Sequence, residues 1–540
     1  MTVLIVPDLD ETPWPSLGGA VSDFLEDRAV FGPGSLKGQP ARLDPEKRAV
    51  LYRAYEVFPQ GHPLAGRRRF KRVGISWRKG LAKTEFAAWI AYAELHPEGP
   101  VRCDGFDADG NPVGVPVRDP YIPMVAYTEE QVEELAYGAL YVVVTEGPDA
   151  DLFDAGMDRI LRLDSRGRAD GKATALAGSP NARDGARTTF QHFDEPHRMT
   201  LPKLLAAHET MMGNLPKRPL DDPWSLETTT AGEPGAGSVA EKTHREAEQI
   251  AQGTITDPDL FYFHREASAH HDLATLEGRI GAISEATGPA GEYGPGQFRD
   301  IARQWDRPGA DKTYLERVWT NRWVRSESQA FDVERFDALS SRDALQPGAV
   351  VTAGFDGARF RDATALVVTD LGSGRQHLWG LWERPEDLEE WEVPEGEVTA
   401  SVEDLMFRQQ VWKLYADPPH WTETVGAWAG RWPDQVEEWW TNRLRPMAQA
   451  VRAYREAMDS GAVRNDGNAD FRRHIGAAGR KDVRLVDDDG RPMWVLRKLR
   501  EDRKFDAAMA GVLSWRAYLD AKKAGVVLEP RRRSVPRRIR

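Results

Sequence analysis

The sequence predicts an α/β protein with two domains, the first built on a parallel sheet flanked by helices. Its 540 residues are too many for a single hydrophobic core. Its composition, 41% hydrophobic and 29% charged, is typical of globular proteins. Strand-like and helix-like segments alternate through 72–95 and 122–144, and this alternation favours βαβ units. A polar segment with Pro-Gly at 338–348 is interpreted as the linker between the domains.

Charge, cysteine content and apolar runs exclude several classes of protein. The net charge of −13 argues against a surface uniformly coated for polyanions, although local basic grooves are compatible with it. The single cysteine, Cys103, excludes an intrachain disulfide and a cysteine-based zinc site. The longest apolar run, 139–144, is far shorter than the ~20 residues of a membrane span. The N-terminal residues are too acidic for a signal peptide. We therefore expect a soluble intracellular protein with no membrane association.

The segment 72–95 has the layout of a phosphate-binding loop. A short strand pattern leads into the turn 77–84, WRKGLAKT, and apolar residues at helical spacing follow it. In such a loop, backbone N–H groups and a helix N-terminus face the phosphates, and a lysine, here Lys83, reaches the terminal ones. The full pattern, G-x-x-x-x-G-K-[ST], has a glycine where this chain has Ala82. Because a methyl group favours negative φ, we expect no left-handed residue there. The alternative is a basic turn before an ordinary amphipathic helix.

Two further segments suit nucleotide hydrolysis. The segment 190–197, FQHFDEPH, is a short strand that ends in Asp194 and Glu195. Asp194 is expected to hold Mg²⁺ through its water shell, and Glu195 to polarise the attacking water. The segment 226–232, LETTTAG, places threonines at the end of a predicted strand, where they can contact the γ-phosphate. The alternatives are a solvated turn for the first segment and a β-branched edge strand for the second.

In order and spacing, these three segments together resemble the large subunit of tailed-bacteriophage terminase, the viral DNA-packaging motor. The resemblance implies a P-loop ATPase in which Lys83 and Thr84 bind phosphate and Mg²⁺. It also implies that Asp194 supports the metal and that Glu195 is the catalytic base. The implied nucleotide-binding residues are Arg78, Lys79, Gly80, Leu81, Ala82, Lys83, Thr84 and Asp194. The implied coupling motif, which links hydrolysis to movement, consists of Thr228, Thr229 and Thr230.

Arg78, directly ahead of this loop, has two interpretations. The resemblance implies that it stabilises charge that develops on the γ-phosphate. The alternative is a solvated basic turn.

The same resemblance implies a C-terminal nuclease with a ribonuclease-H-like α/β fold and two Mg²⁺ or Mn²⁺ ions. Two metals roughly 3.5–4 Å apart activate water and stabilise the leaving oxygen, and they need carboxylates from separate elements. Asp356 stands in a strand before a glycine, Asp417 ends a strand before two prolines, and Asp506 begins an Ala-rich helix. These three are the predicted catalytic metal ligands, and for each the alternative is a buried or capping aspartate. Auxiliary candidates are Asp362, Asp502 and His474.

Double-stranded viral DNA is the expected substrate, bound through its phosphates by basic clusters at 67–72, 317–325 and 531–540. The implied partners are the portal protein, the small terminase subunit and further copies of this chain in a ring on the procapsid. The implied location is the host cytoplasm, with transient attachment to the portal and no place in the mature virion. The histidine pair in 270–272, HHD, is interpreted as a polar turn because no fourth metal ligand is near in sequence.

The predicted organisation and two competing functions complete the sequence-based expectations. The predicted bounds are an arm at 1–40, an ATPase domain at 41–337 with a helical subdomain at about 233–337, a linker at 338–348, a nuclease domain at 349–525 and a basic tail at 526–540. One competing function is an ATP-dependent helicase-nuclease of DNA repair or host defence. The other is a DNA-binding scaffold without ATP turnover.

Overall fold

The computed structural model divides the chain into two compact units, Met1–Arg325 and Ser326–Arg540. The residues that it describes are 3–127, 136–177, 186–293, 295–324, 329–341, 343–360, 362–385, 391–487, 492–499 and 503–526. Among these residues, no helix combines the length and the apolar character that a bilayer-spanning segment needs.

The first unit is organised by a mixed sheet that has nine strands within the described residues, in the order β1-β11-β2-β10-β9-β5-β8-β7-β6. The six strands from β11 to β8 are parallel to one another, and β1, β7 and β6 add antiparallel edges. Its strands are β1 Val3–Val6, β2 Arg72–Ser76, β5 Tyr121–Ala126, β6 Phe153–Ala155, β7 Arg159–Leu163, β8 Ala169–Ala177, β9 Phe190–Asp194, β10 Trp224–Thr229 and β11 Leu260–Arg265. A separate hairpin is formed by β3 Arg102–Phe106 and β4 Pro112–Val115.

Helices surround this sheet, as the sequence predicts. They are α1 Gly18–Arg28, α2 Pro45–Ala54, α3 Lys83–Leu95, α4 Ala136–Glu146, α5 Pro202–Met212, α6 Val239–Ala251, α7 Leu276–Thr287, α8 Pro295–Ala302 and α9 Lys312–Thr320. Helix α3 is buried along almost its whole length, since its alanines and aromatic residues face the sheet on one side and α4 on the other. The helix that follows the predicted phosphate loop therefore lies at the centre of the unit.

Residues 3–40 are more ordered than the Gly-, Pro- and Asp-rich composition of this region predicts. Strand β1 pairs with β11 at the sheet edge, and Leu17, Val21 and Leu25 of the α1 region are buried in the main core. The predicted loose arm is thus part of the first unit.

The second unit has a six-stranded sheet within the described residues, in the order β16-β15-β12-β13-β14-β17. Strands β12, β13 and β14 form an antiparallel meander, and β15 and β16 lie parallel to β12 on its other side. This order and orientation are those of the ribonuclease-H fold, so the predicted fold class is confirmed. The strands are β12 Val350–Gly357, β13 Thr364–Asp370, β14 Arg375–Trp382, β15 Gln410–Ala416, β16 Val436–Glu438 and β17 Arg464–Asn465, with a separate hairpin of β18 Ala478–Val486 and β19 Pro492–Lys498. The helices are α10 Val333–Ala338, α11 Glu395–Arg408, α12 Thr422–Arg431, α13 Leu444–Ser460, α14 Ala469–Ala477 and α15 Asp506–Lys523.

Helix α15 lies directly on β12, and a glycine makes this close approach possible. A Cβ atom at Gly354 would lie 2.1 Å from the carbonyl oxygen of Ala510 and 2.4 Å from the amide nitrogen of Ser514. Only a residue without a side chain fits there, so Gly354 sets the distance between the strand and the helix that carry two of the predicted metal ligands.

The boundary between the units lies at residues 325 and 326, ahead of the predicted linker at 338–348. Phe331, Val333 and Phe336 are buried in the core of the second unit. The sequence predicts that the segment containing these residues ends the first domain. Their burial shows that the segment instead packs in the core of the second unit.

Candidate active sites

The predicted phosphate loop runs from the end of β2 to the first turn of α3 and contains two left-handed residues. Gly80 has φ 82°, and Ala82 has φ 55° and ψ 39°. The prediction that Ala82 avoids a left-handed conformation is wrong. The chain must reverse at this point so that Lys83 becomes the first residue of the helix, and the alanine accepts a strain of roughly 1–2 kcal/mol in doing so.

Lys83 reaches the ends of the neighbouring strands, and its side chain is only 5% exposed. Its Nζ donates to the hydroxyl of Thr230 at 2.9 Å and to the carbonyl oxygen of Arg78 at 3.3 Å. It also lies 3.5 Å from Oε1 of Glu195. The structure thus brings the phosphate loop, the acidic pair and the threonine run together, as the sequence predicts.

The register of the parallel strands explains this convergence. Thr229 of β10 is level with Ser76 at the end of β2, and Thr228 is level with Asp194 at the end of β9. Ligands of parallel α/β sheets bind at the carboxyl ends of the strands, where these residues lie.

The acidic pair contains one carboxylate suited to a metal and one suited to act as a base. Oδ1 of Asp194 accepts from the hydroxyl of Thr228 at 3.1 Å, whereas Oδ2 is buried and has no hydrogen-bond partner among the described residues. A buried carboxylate oxygen left open in this way fits a cation such as Mg²⁺. Burial, followed by the charge of Glu195, raises the pKa of Asp194. Burial on its own would raise the pKa of Glu195. Lys83 and His197 have the larger combined effect and lower this pKa, so the carboxylate of Glu195 stays ionised.

His197 is a functional candidate that the sequence-based reasoning missed. Its Nδ1 lies 2.8 Å from Oε2 of Glu195 and 3.1 Å from the hydroxyl of Thr229. It follows the acidic pair by two residues, in the sequence Asp-Glu-Pro-His, and this spacing was the available signal. His197 therefore joins the proposed base to the predicted coupling motif.

Each threonine of the coupling motif contacts a different group at the site. Thr228 is bonded to Asp194 and lies 2.8 Å from Nε2 of His192, whose pKa burial lowers to about 3. Thr229 contacts His197, and Thr230 accepts from Lys83. The threonine run is thus more than a β-branched strand, because all three hydroxyls face functional groups.

The guanidinium of Arg78 lies among the helices that follow β11. Its Nε donates to the hydroxyl of Thr287 at 2.6 Å, and its guanidinium carbon lies 5.9 Å from the ring centre of Phe298 and 5.7 Å from that of Trp319. Burial lowers its pKa to about 10. The neighbouring amide of Lys79 donates to the carbonyl oxygen of Val318 at 2.8 Å. In this conformation the first half of the phosphate loop is tied to α7 and α9, and Arg78 is not a solvated turn residue.

The three predicted nuclease aspartates converge in the second unit. Strands β12 and β15 are parallel neighbours, so Asp356 and Asp417 lie at the same edge, and the amide of Asp417 donates to the carbonyl oxygen of Phe355 at 3.0 Å. Oδ2 of Asp506 accepts from the amide of Ala363 at 3.4 Å. Burial, followed by the charges of Asp506, Asp417 and Asp362, raises the pKa of Asp356 well above its usual range. Carboxylates that raise one another's pKa in this way are suited to hold cations of the Mg²⁺ or Mn²⁺ type.

Asp417 is fixed by hydrogen bonds from a neighbouring loop. The amide of Thr441 donates to its Oδ1 at 3.0 Å, and the hydroxyl of Thr441 donates to Oδ2 at 2.7 Å. Such support orients a metal ligand before the metal binds.

Comparison with known proteins shows that the chain is similar to phage proteins. No protein-family model matches it. It is 26% identical over 544 residues to the Gene 13 protein of Mycobacterium phage L5, a match that covers 89% of this chain and 85% of that protein. The crystal structure of the HK97 bacteriophage large terminase matches 93% of this chain and 100% of its own, with 17% identity and a TM-score of 0.47. The large terminase of a thermophilic bacteriophage, in complex with ADP, matches 87% of this chain and 98% of its own, with 10% identity and a TM-score of 0.33.

The chain resembles phage large terminases. The resemblance that its motifs predict points to the same group of phage proteins.

Two of the three auxiliary nuclease candidates have defined contacts. Asp362 forms an ion pair with Lys498 of the β18–β19 hairpin. His474 is fully buried, accepts from the amide of Ala507 at 3.0 Å through Nδ1, and lies 3.1 Å from Glu383 through Nε2. It therefore supports the first turn of α15, next to Asp506. Asp502 lies outside the described residues.

Much of the basic charge predicted to contact DNA forms internal contacts instead. Arg68 is buried between the rings of Tyr55 and Trp224, and Arg72 pairs with acidic residues of the same unit. Arg322 donates to backbone carbonyl oxygens and to Glu316. The tail at 531–540 lies outside the described residues.

The histidine pair in 270–272 gains a third possible metal ligand in the fold. Ligand atoms of His270, His271 and Glu285 lie within 4.8 Å of one another. Nε2 of His271 is 2.7 Å from Glu285, and Ser268 donates to the same carboxylate at 2.8 Å. Hydrogen bonds join these side chains, and the interpretation as a polar turn stays a prediction.

Proposed function

We propose that the chain is the large subunit of a tailed-phage terminase, an ATP-driven motor that moves double-stranded DNA into a procapsid and an endonuclease that cuts it. The observation that carries the proposal is the convergence of the coupling threonines on the hydrolytic groups. Thr230 is bonded to Lys83, and Thr228 is bonded to Asp194. A change at the phosphates therefore reaches the threonine segment directly.

The ATPase roles follow from these contacts. Lys83 binds the terminal phosphates, and Thr84 and Asp194 would hold the magnesium ion that accompanies ATP. When bound, Mg²⁺ neutralises charge that develops on the transferred phosphoryl group. Glu195, kept ionised by Lys83 and His197, accepts a proton from the attacking water. His197 orients that carboxylate.

The nuclease roles rest on the aspartates of the second unit. Asp356, Asp417 and Asp506 would hold two Mg²⁺ or Mn²⁺ ions, and ions bound there would supply activation of water and stabilisation of the leaving oxygen. Cleavage of concatemeric DNA begins and ends each packaging cycle. The proposed partners are the portal protein, the small terminase subunit and further copies of the chain in a ring on the procapsid. The proposed location is the host cytoplasm, with transient attachment to the portal.

The ATPase assignment is tested by ATP turnover of the purified full chain in the presence of Mg²⁺. Lys83→Ala is expected to abolish turnover and nucleotide binding, because it removes the cation that faces the phosphates. The matched control is Lys242→Ala on the exposed face of α6, where Lys242 pairs across the surface with Glu209. If the Lys83→Ala variant hydrolyses ATP at the wild-type rate, the assignment is contradicted. If the wild-type chain itself does not hydrolyse ATP, the result favours the alternative function, a DNA-binding scaffold without ATP turnover.

The nuclease assignment is tested by Mn²⁺-dependent cleavage of plasmid DNA. Asp356→Ala is expected to remove cleavage and to leave ATP turnover intact. Asp370→Ala is the control, because Asp370 lies at the opposite end of the same strand pair and binds turn residues. Cleavage that survives Asp356→Ala contradicts the assignment. A helicase-nuclease is distinguished by strand separation of a short duplex, which the terminase assignment predicts to be absent.

A further inference from the structure

Asn321 is a buried residue with a conformation that few side chains tolerate. It directly follows α9, is fully buried and has φ 57°. Asparagine, unlike most residues, adopts this left-handed conformation readily at the end of a helix. The backbone therefore turns at Asn321 and directs its side chain into the protein.

The Asn321 amide joins the ends of three neighbouring parallel strands. Its Oδ1 accepts from the amide of Ala231 at 2.7 Å, immediately after the coupling threonines. Its Nδ2 donates to the carbonyl oxygens of Ser76 at 3.0 Å and Arg265 at 2.8 Å. These partners follow or end β10, β2 and β11 at the edge where the phosphate loop begins. One side chain thus connects the coupling segment to the strand that leads into the phosphate loop.

The two residues after Asn321 also contact this part of the first unit. Arg322 donates through Nε to the carbonyl oxygen of Ala267 at 2.8 Å. The ring of Trp323 stacks on His244 with centres 4.9 Å apart, and a Cβ atom at Gly232 would lie 3.0 Å from that indole. The segment 321–324 is therefore packed against 231–232 and is the last described part of the first unit.

We propose that Asn321 is a positioning residue that transmits movement of the coupling threonines to the segment 321–324, through which the chain leaves the ATPase unit. The inference rests on the proposed function, because it assigns a route for the coupling of hydrolysis to DNA movement. A buried amide that loses its partners is destabilised, so displacement of Ala231 carries Asn321 with it. No group of Asn321 takes part in the chemical step.

The test compares Asn321→Asp with the wild-type full chain. Aspartate keeps the size, the left-handed preference and the acceptor for Ala231, but it places an oxygen against the carbonyl groups of Ser76 and Arg265. We expect the affinity for a fluorescent ATP analogue to change less than twofold and the basal ATP turnover less than threefold. The stimulation of turnover by double-stranded DNA is expected to fall at least tenfold. The matched control is Asn111→Asp at the exposed tip of the β3–β4 hairpin, which should behave as wild type.

A second variant covers the case in which the buried aspartate prevents folding. Asn321→Gly keeps the backbone conformation, removes all the side-chain contacts and is expected to lose DNA stimulation in the same way, with its melting temperature recorded alongside. If the Asn321→Gly variant folds and DNA still stimulates its ATP turnover as in the wild type, the proposed role of Asn321 is overturned. The role is also overturned if the variant loses nucleotide affinity to the same extent as it loses DNA stimulation. Absence of ATP turnover in the wild-type chain instead contradicts the proposed function, and the inference falls with it.

Discussion

Ala82→Gly is expected to stabilise the first unit, because it relieves a left-handed backbone conformation and removes only an exposed methyl group. The alanine has φ 55°, a conformation that is less favourable for an L-residue by roughly 1–2 kcal/mol. Glycine relieves this strain but has more freedom in the unfolded chain, which offsets roughly 0.5–1 kcal/mol of the gain. The net effect is a stabilisation of about 0.5–1 kcal/mol, or a rise in melting temperature of about 1–3 °C for a unit of this size.

The assay is thermal unfolding of the nucleotide-free full chain, followed in the transition of the first unit. Gly80→Ala is the matched control with the opposite sign, since Gly80 also has positive φ. A Cβ atom there would meet its nearest neighbours at 3.6 and 3.7 Å, an ordinary contact distance, so its expected destabilisation comes from the backbone alone. A lower melting temperature for Ala82→Gly would refute the reasoning, because it would mean that Ala82 is not held in a left-handed conformation.

Three further predictions concern single contacts. His197→Asn is expected to lower ATP turnover roughly tenfold at unchanged nucleotide affinity, because the carboxylate of Glu195 is then less firmly oriented. Steady-state kinetics test this, and an unchanged kcat contradicts it. Burial raises the pKa of Glu85 from 4.5 to about 7, so its stabilising contribution is complete below pH 4.5 and is lost as pH rises through 7. Glu85→Gln should therefore gain melting temperature relative to wild type between pH 5 and pH 8, and a constant difference would show that Glu85 does not titrate as described. Thr441→Val is expected to raise the Mn²⁺ concentration needed for DNA cleavage about tenfold, because Asp417 loses a donor; an unchanged metal dependence in a Mn²⁺ titration argues against this support.

The sequence predicts elements well where their signal is local. The strand before the phosphate loop and the helix after it follow from side-chain periodicity, and both are present as β2 and α3. Strand β1 was not predicted because it is short and its partner, β11, is remote in sequence. The predicted linker lies after the boundary between the two compact units for a related reason. The polar segment 338–348 looks like a linker, but only the three-dimensional core shows where Phe331 and Phe336 are buried.

In the candidate sites, too, features with a local signal are predictable from the sequence, and features set by distant residues are not. Asp194, Asp356 and Asp417 lie at or next to strand ends, which composition and turn residues indicate, and parallel pairing then brings such positions together. The direction of the Arg78 side chain was not predictable, because α7 and α9 decide it. Asn321 was missed since its partner Ser76 is 245 residues away in the sequence. Local preference disfavours a left-handed backbone at Ala82, but the geometry of the loop overrides that preference.

The most direct test of the account is the steady-state rate of ATP hydrolysis by Glu195→Gln. The amide keeps the shape of the side chain but cannot accept the proton of the attacking water. Turnover is therefore expected to fall at least about a hundredfold while ATP still binds. Glu209→Gln on the exposed face of α5 is the control and should hydrolyse ATP as wild type does. Hydrolysis by Glu195→Gln at the wild-type rate would contradict the assignment of the catalytic base and, with it, the proposed ATPase site.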